Sequence, residues 1–414
     1  MITIVTLIIH FFTRKSPIIN PNAKRILISG ARMTKALQLA RSFYAAGHYV
    51  VLTDDYQFAT HRFSRCVSRF RRSADITNSS LYIQSIIDIV QQEKIDVFVP
   101  VSNTCTERVE AHIKQLLLQF NCETFHGNVE LLNMLSNKFL FINQVRALGL
   151  TAPKTYSITD PKQVLDFDFS KEQCQFILKS IVYNSTVRSH MIKLPGQTRQ
   201  ETIDYVNSLI INENYPWVMQ EFIPGEEYCT HTTVRNGELR LHTCCKSSAY
   251  LLNYKHVNNK TNILEWVREF CSRVNATGQV SFDFIESNED GRPYAIECNP
   301  RTHTAILNFY NHSRVAEAYL DKEPLSNGPI QPRSDAREIY WLYYELWNLC
   351  RVKSIEDLLH ILKRLLYGKE GIWSIDDPLP FFFQYTIHLP YVLIYSIYEQ
   401  KPFNFIDCNL AFAH

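Results

Sequence analysis

Apolar residues recur along the first third of the chain in two alternating rhythms. Residues 25–30, RILISG, form a short apolar run closed by glycine. TKALQLARSFYAAG follows, with apolar side chains at 36, 37, 40, 43 and 44 and Gly47 as a stop, the spacing of one helix face. YVVLTDD reads as a second strand, residues 81–92 as a helix and DVFVPV (96–101) as a third strand. Strands alternating with helices predict a small parallel α/β domain.

From residue 129 the pattern changes. VELLNMLSNKFLFINQVRALGL predicts one long helical stretch, with Gly149 near its end and Pro153 beyond. TYSI, QFILKSIVY, PWVMQEFI, YCTHTTVR and LRLHTCC read as strands, with a helix over 199–211 and a turn at Asn236-Gly237. That alternation is antiparallel in character. The tail after residue 331 is aromatic-rich and predicts helices.

The polar residues become informative in one strand pair. In QVSFDFIES (279–287), Val280, Phe282 and Phe284 share one face and Ser281, Asp283 and Ile285 the other. In YAIECNPR (294–301), Glu297, Asn299 and Arg301 fall at alternate positions and share a face. A three-residue loop at Glu289-Asp290-Gly291 would set Asp283 directly opposite Glu297. Two carboxylates so close repel unless a cation lies between them. With Asn299 they offer hard oxygen ligands suited to Mg²⁺, which completes its shell with phosphates and water, and Arg301 faces the same phosphates. The plain alternative is a solvated strand with a Glu297–Arg301 ion pair. Lys179, bracketed by Ile177, Leu178 and Ile181, and Lys138, expected mid-helix among apolar neighbours, favour a polyphosphate site. Either lysine could instead extend its ammonium to water.

Composition narrows the partners. The 414 residues are 46% hydrophobic and 20% charged, enough for two or three domains with a large core. A net charge of +2 gives no global field for nucleic acid. The basic run RFSRCVSRFRR (62–72) reads as a solvated face, with an anion or membrane-surface contact as the alternative. Eleven cysteines without a CxxC pair or zinc spacing read as reduced thiols in a cytoplasmic protein. The N-terminal apolar run, MITIVTLIIHFF, is about 12 residues long, short of the roughly 20 that span a bilayer. It lacks a basic start and a small-residue cleavage site, so a surface tether or a loose tail is expected rather than a signal peptide. FFFQYTIHLPYVLIYSIY (381–398) reads as buried packing ahead of membrane contact. Oligomeric state is left at monomer or homodimer.

The ordered set Lys138, Lys179, VMQEFIPGEE (218–227), Asp283 and IECNPR (296–301) resembles the ATP-grasp superfamily over about residues 25 to 325. The resemblance implies a parallel α/β pre-ATP-grasp domain at 23–126 behind an apolar tail (1–22). It further implies an α+β ATP-grasp fold with a small lobe at 127–216 and a large lobe at 217–328, then a helical extension at 329–414. It implies ATP held between two antiparallel sheets, with Lys138 and Lys179 on the phosphates and Lys179 also near the adenine. Gln220, Glu221 and the backbone of Phe222 and Ile223 would hold the adenine edge, and Glu227 the ribose hydroxyls. Asp283, Glu297 and Asn299 would bind Mg²⁺ (or Mn²⁺), and Arg301 would stabilise the transferring phosphoryl group. The sequence departs from the superfamily's frequent Gly-rich flap: SIVYNSTVRSHM (180–191) has no glycine, though Ser185, Thr186 and Arg188 could donate to phosphates.

Acceptor-site candidates are Met33, Thr34 and Lys35, after the first strand where open α/β sheets bind ligands, and Thr302 and His303, after Arg301. His303 could assist proton transfer, a helix-capping threonine and a satisfied histidine being the plain readings. Cys298 should turn into the core, and no Ser-His-Asp arrangement is evident, which suits phosphoryl transfer by positioning and charge neutralisation. Rival readings are a ligase working through an acyl phosphate, a scaffold that binds ATP without turnover, and a nicotinamide enzyme. The last would need three glycines where SGARMT has one, with Asp54 and Asp55 as its acids.

Overall fold

The computed structural model describes residues 20–56, 59–181, 191–247 and 253–398. The N-terminal tail, most of the 180–191 flap with Ser185, Thr186 and Arg188, and the last residues of the chain lie outside the described residues.

The first unit is a five-stranded parallel sheet. Its strands are β1 (Arg25–Ile28), β2 (Tyr49–Asp54), β3 (Arg69–Arg72), β4 (Val97–Val99) and β5 (Glu123–Thr124), in the order β3-β2-β1-β4-β5. Helix α1 (Thr34–Ala45) covers one face together with residues 306–320 and Trp341; α2 (Ser79–Glu93) and α3 (Glu107–Leu117) cover the other. Both faces are buried, which explains why β1, β2 and β4 are continuous apolar runs rather than alternating ones. The basic run ends in the edge strand β3, whose four residues are exposed or half-exposed, as a solvated face requires.

The expected long helix is two helices. Val129–Ser136 (α4) and Lys138–Ala147 (α5) are separated by Asn137, whose extended backbone (ψ 111°) stops the first. Its side-chain oxygen accepts from the N–H groups of Phe139 and Leu140, starting the second. Lys138 is therefore the first residue of a helix, not a mid-helix residue.

Two antiparallel sheets follow. The smaller has the order β6-β8-β7, from Thr155–Ile158 (β6), Phe176–Ser180 (β7) and Trp217–Glu221 (β8), with helix α6 (Arg199–Ser208) in its core. The larger has the order β10-β9-β11-β12, from Gly225–Arg235 (β9), Glu238–Lys246 (β10), Gly278–Ser287 (β11) and Pro293–Asn299 (β12). Helices α4, α5 and α7 (Thr261–Arg273) bury one face of it against Phe282, Phe284 and Cys298. The remaining chain runs through α8 (Val315–Leu320), β13 (Ile339–Tyr340), α9 (Leu342–Leu349), α10 (Ile355–Tyr367), β14 (Lys369–Glu370) and α11 (Leu389–Tyr398). Segment 381–398 buries Gln384, Val392 and Ser396, while Ile394, Ile397 and Tyr398 are exposed. No helix among the described residues is long and apolar enough to cross a membrane.

Candidate active site

The β11–β12 hairpin brings its two acids together by a different route from the one expected. Its loop is four residues, 288–291, closed by the Ser287 N–H on the Arg292 carbonyl at 3.0 Å. That register, which pairs Phe284 with Ala295, would set Asp283 opposite Ile296. A bulge between Asp283 and Phe284 absorbs Ile296 and pairs Asp283 with Glu297. A second consequence is that the Ile296 carbonyl takes the side-chain amide of Gln220 at 3.3 Å, tying the small sheet to the large one.

Across the large sheet one row reads Cys245, Cys229, Asp283, Glu297. Lys138 reaches Glu297 from the start of α5, Nζ to Oε2 at 3.5 Å. Asn299 donates to Asp283 Oδ2 at 3.4 Å, and its own oxygen accepts from Arg301 Nη2 at 2.6 Å. β12 ends at Asn299, so Arg301 lies just past the strand, its N–H folded back on the Asn299 carbonyl at 2.8 Å. Among the described residues no cluster of three His, Cys, Asp or Glu side chains could hold a metal. The oxygen set is two carboxylates and one amide. That is the donor chemistry of a cation that takes the rest of its shell from phosphate and water.

On the small sheet Lys179 donates to Gln220 Oε1 at 2.8 Å, a diagonal contact between β7 and β8. Gln220 is fully buried. Glu221 turns the other way and accepts from the Lys154 N–H at 2.8 Å. The Phe222 N–H is bonded to the Gln175 carbonyl at 2.7 Å, and the Lys193 ammonium lies 3.9 Å over the Phe222 ring. Ile223 is half-buried between them and Glu227, whose carboxylate accepts from the Ser247 hydroxyl at 3.2 Å.

Two acceptor candidates far apart in sequence meet. Lys35 is buried in α1, and its ammonium donates to the Thr302 carbonyl at 2.7 Å and the Ser102 carbonyl at 3.3 Å. Burial, with Arg301 nearby, pushes its pKa down to about 7, against the pull of Glu107 and Glu110. Thr302 is buried beside it, with Oγ1 lacking a hydrogen-bond partner. Met33 lines a separate cleft of about 470 Å³, open at its mouth, at the carboxyl ends of β1, β2 and β4 with Gly30, Asp54 and Thr106. Thr34 is buried and does not line it. Asp54 and Asp55, the acids a nicotinamide site would need, are engaged by Arg32 at 2.8 and 2.5 Å.

His303 caps the turn that follows it. Its Nδ1 accepts from the Ala305 N–H at 3.2 Å, capping the turn over 304–309. Burial, with Lys35 and Arg301 close by, drives its pKa down to about 3. Two residues escaped the sequence reading. Glu107, the first residue of α3, binds Arg301 Nη1 at 2.7 Å from across the domain boundary. His231, two positions along β9 from Cys229, accepts from the His303 N–H at 3.3 Å. Strand alternation from Cys229 could have flagged His231. For Glu107 the only signal was its place after a parallel strand, where ligands gather.

Residues 135–305 match the family model described as the ATP-grasp domain. Similar solved structures include N5-carboxyaminoimidazole synthetase from Staphylococcus aureus, 14% identical, covering 70% of this chain and 73% of that one at a TM-score of 0.52. The biotin carboxylase domain of the Hydrogenobacter thermophilus 2-oxoglutarate carboxylase, a dimer in complex with MgADP, ADP and bicarbonate, is 13% identical. It covers 74% of this chain and 71% of that one at a TM-score of 0.55. The biotin carboxylase of Campylobacter jejuni is 16% identical, covering 72% and 71%, at 0.53. No curated protein sequence matches the chain. The chain thus carries an ATP-grasp domain over residues 135–305, behind a parallel α/β domain, and that domain is one of ATP-dependent ligases.

Proposed function

We propose that the chain is a mycosporine-glycine synthase, joining glycine to 4-deoxygadusol with ATP to give mycosporine-glycine, ADP and phosphate. The opposition of Asp283 and Glu297, with Lys138 on Glu297 and Arg301 on Asn299, carries the ligase reading. The acceptor rests on sequence. SGARMTKALQLARSFYAAGH, ILKSIVYNS, MQEFIPGEEYCTHTTVRNGELRLH and IECNPRTHTAI, with the aromatic C-terminal extension, resemble that enzyme.

In this reading residues 127–216 and 217–328 are the two lobes and ATP lies between their sheets. Lys179 and Gln220, with Glu221, Phe222 and Ile223, hold the adenine end, Glu227 the ribose, and Lys138 and Lys179 the phosphates. Asp283, Glu297 and Asn299 would hold Mg²⁺, or Mn²⁺ in its place, and when bound the ion neutralises phosphate charge. Arg301 faces the transferring phosphoryl group, where a guanidinium stabilises spread oxygen charge. The enol oxygen of 4-deoxygadusol takes the γ-phosphoryl group as the bond to ADP breaks. The glycine amine then attacks that carbon, the C–O bond breaks, and phosphate leaves with both oxygen and electron pair. The amine proton passes to solvent. Lys35 and Thr302 are the acceptor-side candidates, with Met33 and Thr34 behind them.

The test is mass spectrometry of purified protein with Mg-ATP, glycine and 4-deoxygadusol, omitting one component at a time. The reading requires a glycine adduct formed only with ATP and matched by ADP. ADP without adduct, but with a carboxylate and an amine ligated instead, moves the chain to the acyl-phosphate reading. ATP binding with no ADP from any acceptor makes it a scaffold.

A further inference from the structure

A second cavity lies away from the strand row that carries Asp283 and Glu297. Gln38 and Arg41 of α1, Leu307 and Tyr310 after the site loop, and Lys369 and Ser374 of the C-terminal extension are among the residues lining it. Two cations thus face one space. Arg41 already has a carboxylate partner, and the acid beside Lys369 has its oxygens committed elsewhere. Asp377 takes Arg41 Nε at 2.9 Å, the Ser64 hydroxyl at 2.7 Å and the Arg65 N–H at 2.9 Å. Glu370 takes the Tyr385 hydroxyl at 2.9 Å and the N–H groups of Ile372 and Trp373 at 2.8 and 2.6 Å. The Lys369 ammonium is held by neutral carbonyls, those of Glu370 (2.7 Å) and Trp373. A cation so placed is costly unless an anion completes its shell. Its pKa is lowered to about 8, by burial first and then by Arg41, and Arg337 adds to the push, while Glu370 opposes it. Beside the wall, Trp341 Nε1 is buried without a hydrogen-bond partner, 3.1 Å from where a Cβ on the lining residue Gly371 would stand.

We propose that this cavity is a binding site for a small oxyanion, a carboxylate or phosphate group, held by Lys369 and Arg41 with Ser374 and Gln38 as polar neighbours. The site joins three parts of the molecule. α1 belongs to the parallel domain, Leu307 and Tyr310 follow the loop that carries Arg301, and Lys369 belongs to the extension. An anion there would brace the loop after Arg301 from behind.

The test is calorimetric titration of the full chain with sodium phosphate, and separately with acetate, at constant ionic strength set by chloride. Lys369→Met, Lys369→Arg and Lys138→Met are titrated alongside, with circular dichroism to confirm folding. Saturable binding of phosphate or acetate, weakened at least tenfold by Lys369→Met, partly restored by Lys369→Arg and unmoved by Lys138→Met, is expected. Phosphate alone binding would mark a phosphate-bearing ligand; both binding would mark any small oxyanion. Binding that survives Lys369→Met, or is lost only in Lys138→Met, overturns the proposal, as does the absence of saturable binding by either anion. MgADP titrated into the same samples reports the nucleotide site separately, so the two readings fail independently.

Discussion

Lys35 shows how one buried charge couples the parallel domain to the site loop and to pH. Its ammonium sits among carbonyls with Arg301 near, and its pKa falls from an ordinary 10.5 to about 7. The unfolded chain therefore binds a proton that the folded chain lacks between those values, and stability from this group rises with pH across that window. It is lowest at and below pH 7, where the buried amine must charge. Lys35→Met should flatten the rise in chemical-denaturation stability between pH 7 and 9 relative to the parent chain. An unchanged slope would mean that Lys35 is charged in the fold. Arg301 makes a second residue-scale case, because it is shared between Asn299 and Glu107. Alternation put it on a face with Glu297 and Asn299, whereas the strand ends at Asn299 and Arg301 reaches Asn299 from just past it; its partner Glu107 lies 194 residues away with no pattern to link them. For His303 the sequence shows a histidine beside the site but not the Ala305 N–H that it caps.

At the level of elements, apolar rhythm and turn residues were enough for the three inner strands of the parallel sheet and for most antiparallel strands, but not for the edge strands β3 and β5, which lack an apolar run. Both faces of the first sheet are covered, so its inner strands β1, β2 and β4 had to be apolar throughout, and α1 was bounded by its own periodicity. The break at Asn137 was not readable, since hydrophobic spacing continues across it and only the capping geometry ends α4. The β11–β12 loop was one residue longer than expected, and the Ile296 bulge compensated, because pairing is decided by packing on both sheet faces rather than by the turn alone. The seam between β11 and the first domain offers a direct test. Gly278 has φ +122°, and a Cβ there would stand 2.9 Å from the Gly127 nitrogen. Gly278→Ala should cost about 2–3 kcal/mol from backbone strain and the clash, measured by urea titration. A loss within 0.5 kcal/mol, on the order of a neutral surface change, would show that the seam gives way easily.

The whole molecule is held at its site by contacts between units that are far apart in sequence. Glu107 and Arg301 form a partly buried pair across the domain boundary at 2.7 Å, and breaking it strands the buried Glu107 charge. Glu107→Ala and Arg301→Ala should each destabilise by roughly 3 kcal/mol, and the double variant by clearly less than their sum. Strict additivity in that cycle would mean that the two groups do not interact. Glu107→Ala should also lower ligase turnover while MgADP affinity holds, since Arg301 loses its orientation and the adenine end does not. Glu297→Ala should abolish ATP turnover with the fold intact, and full activity in that variant would remove the metal-holding role. In the proposed reaction ATP activates the acceptor's oxygen so that an amine can replace it. The most direct measurement places ¹⁸O at the displaced enol oxygen of 4-deoxygadusol and follows it by mass spectrometry during turnover with Mg-ATP and glycine. The account predicts the label in the released phosphate, one atom per molecule of mycosporine-glycine. Unlabelled phosphate alongside the same product would contradict it.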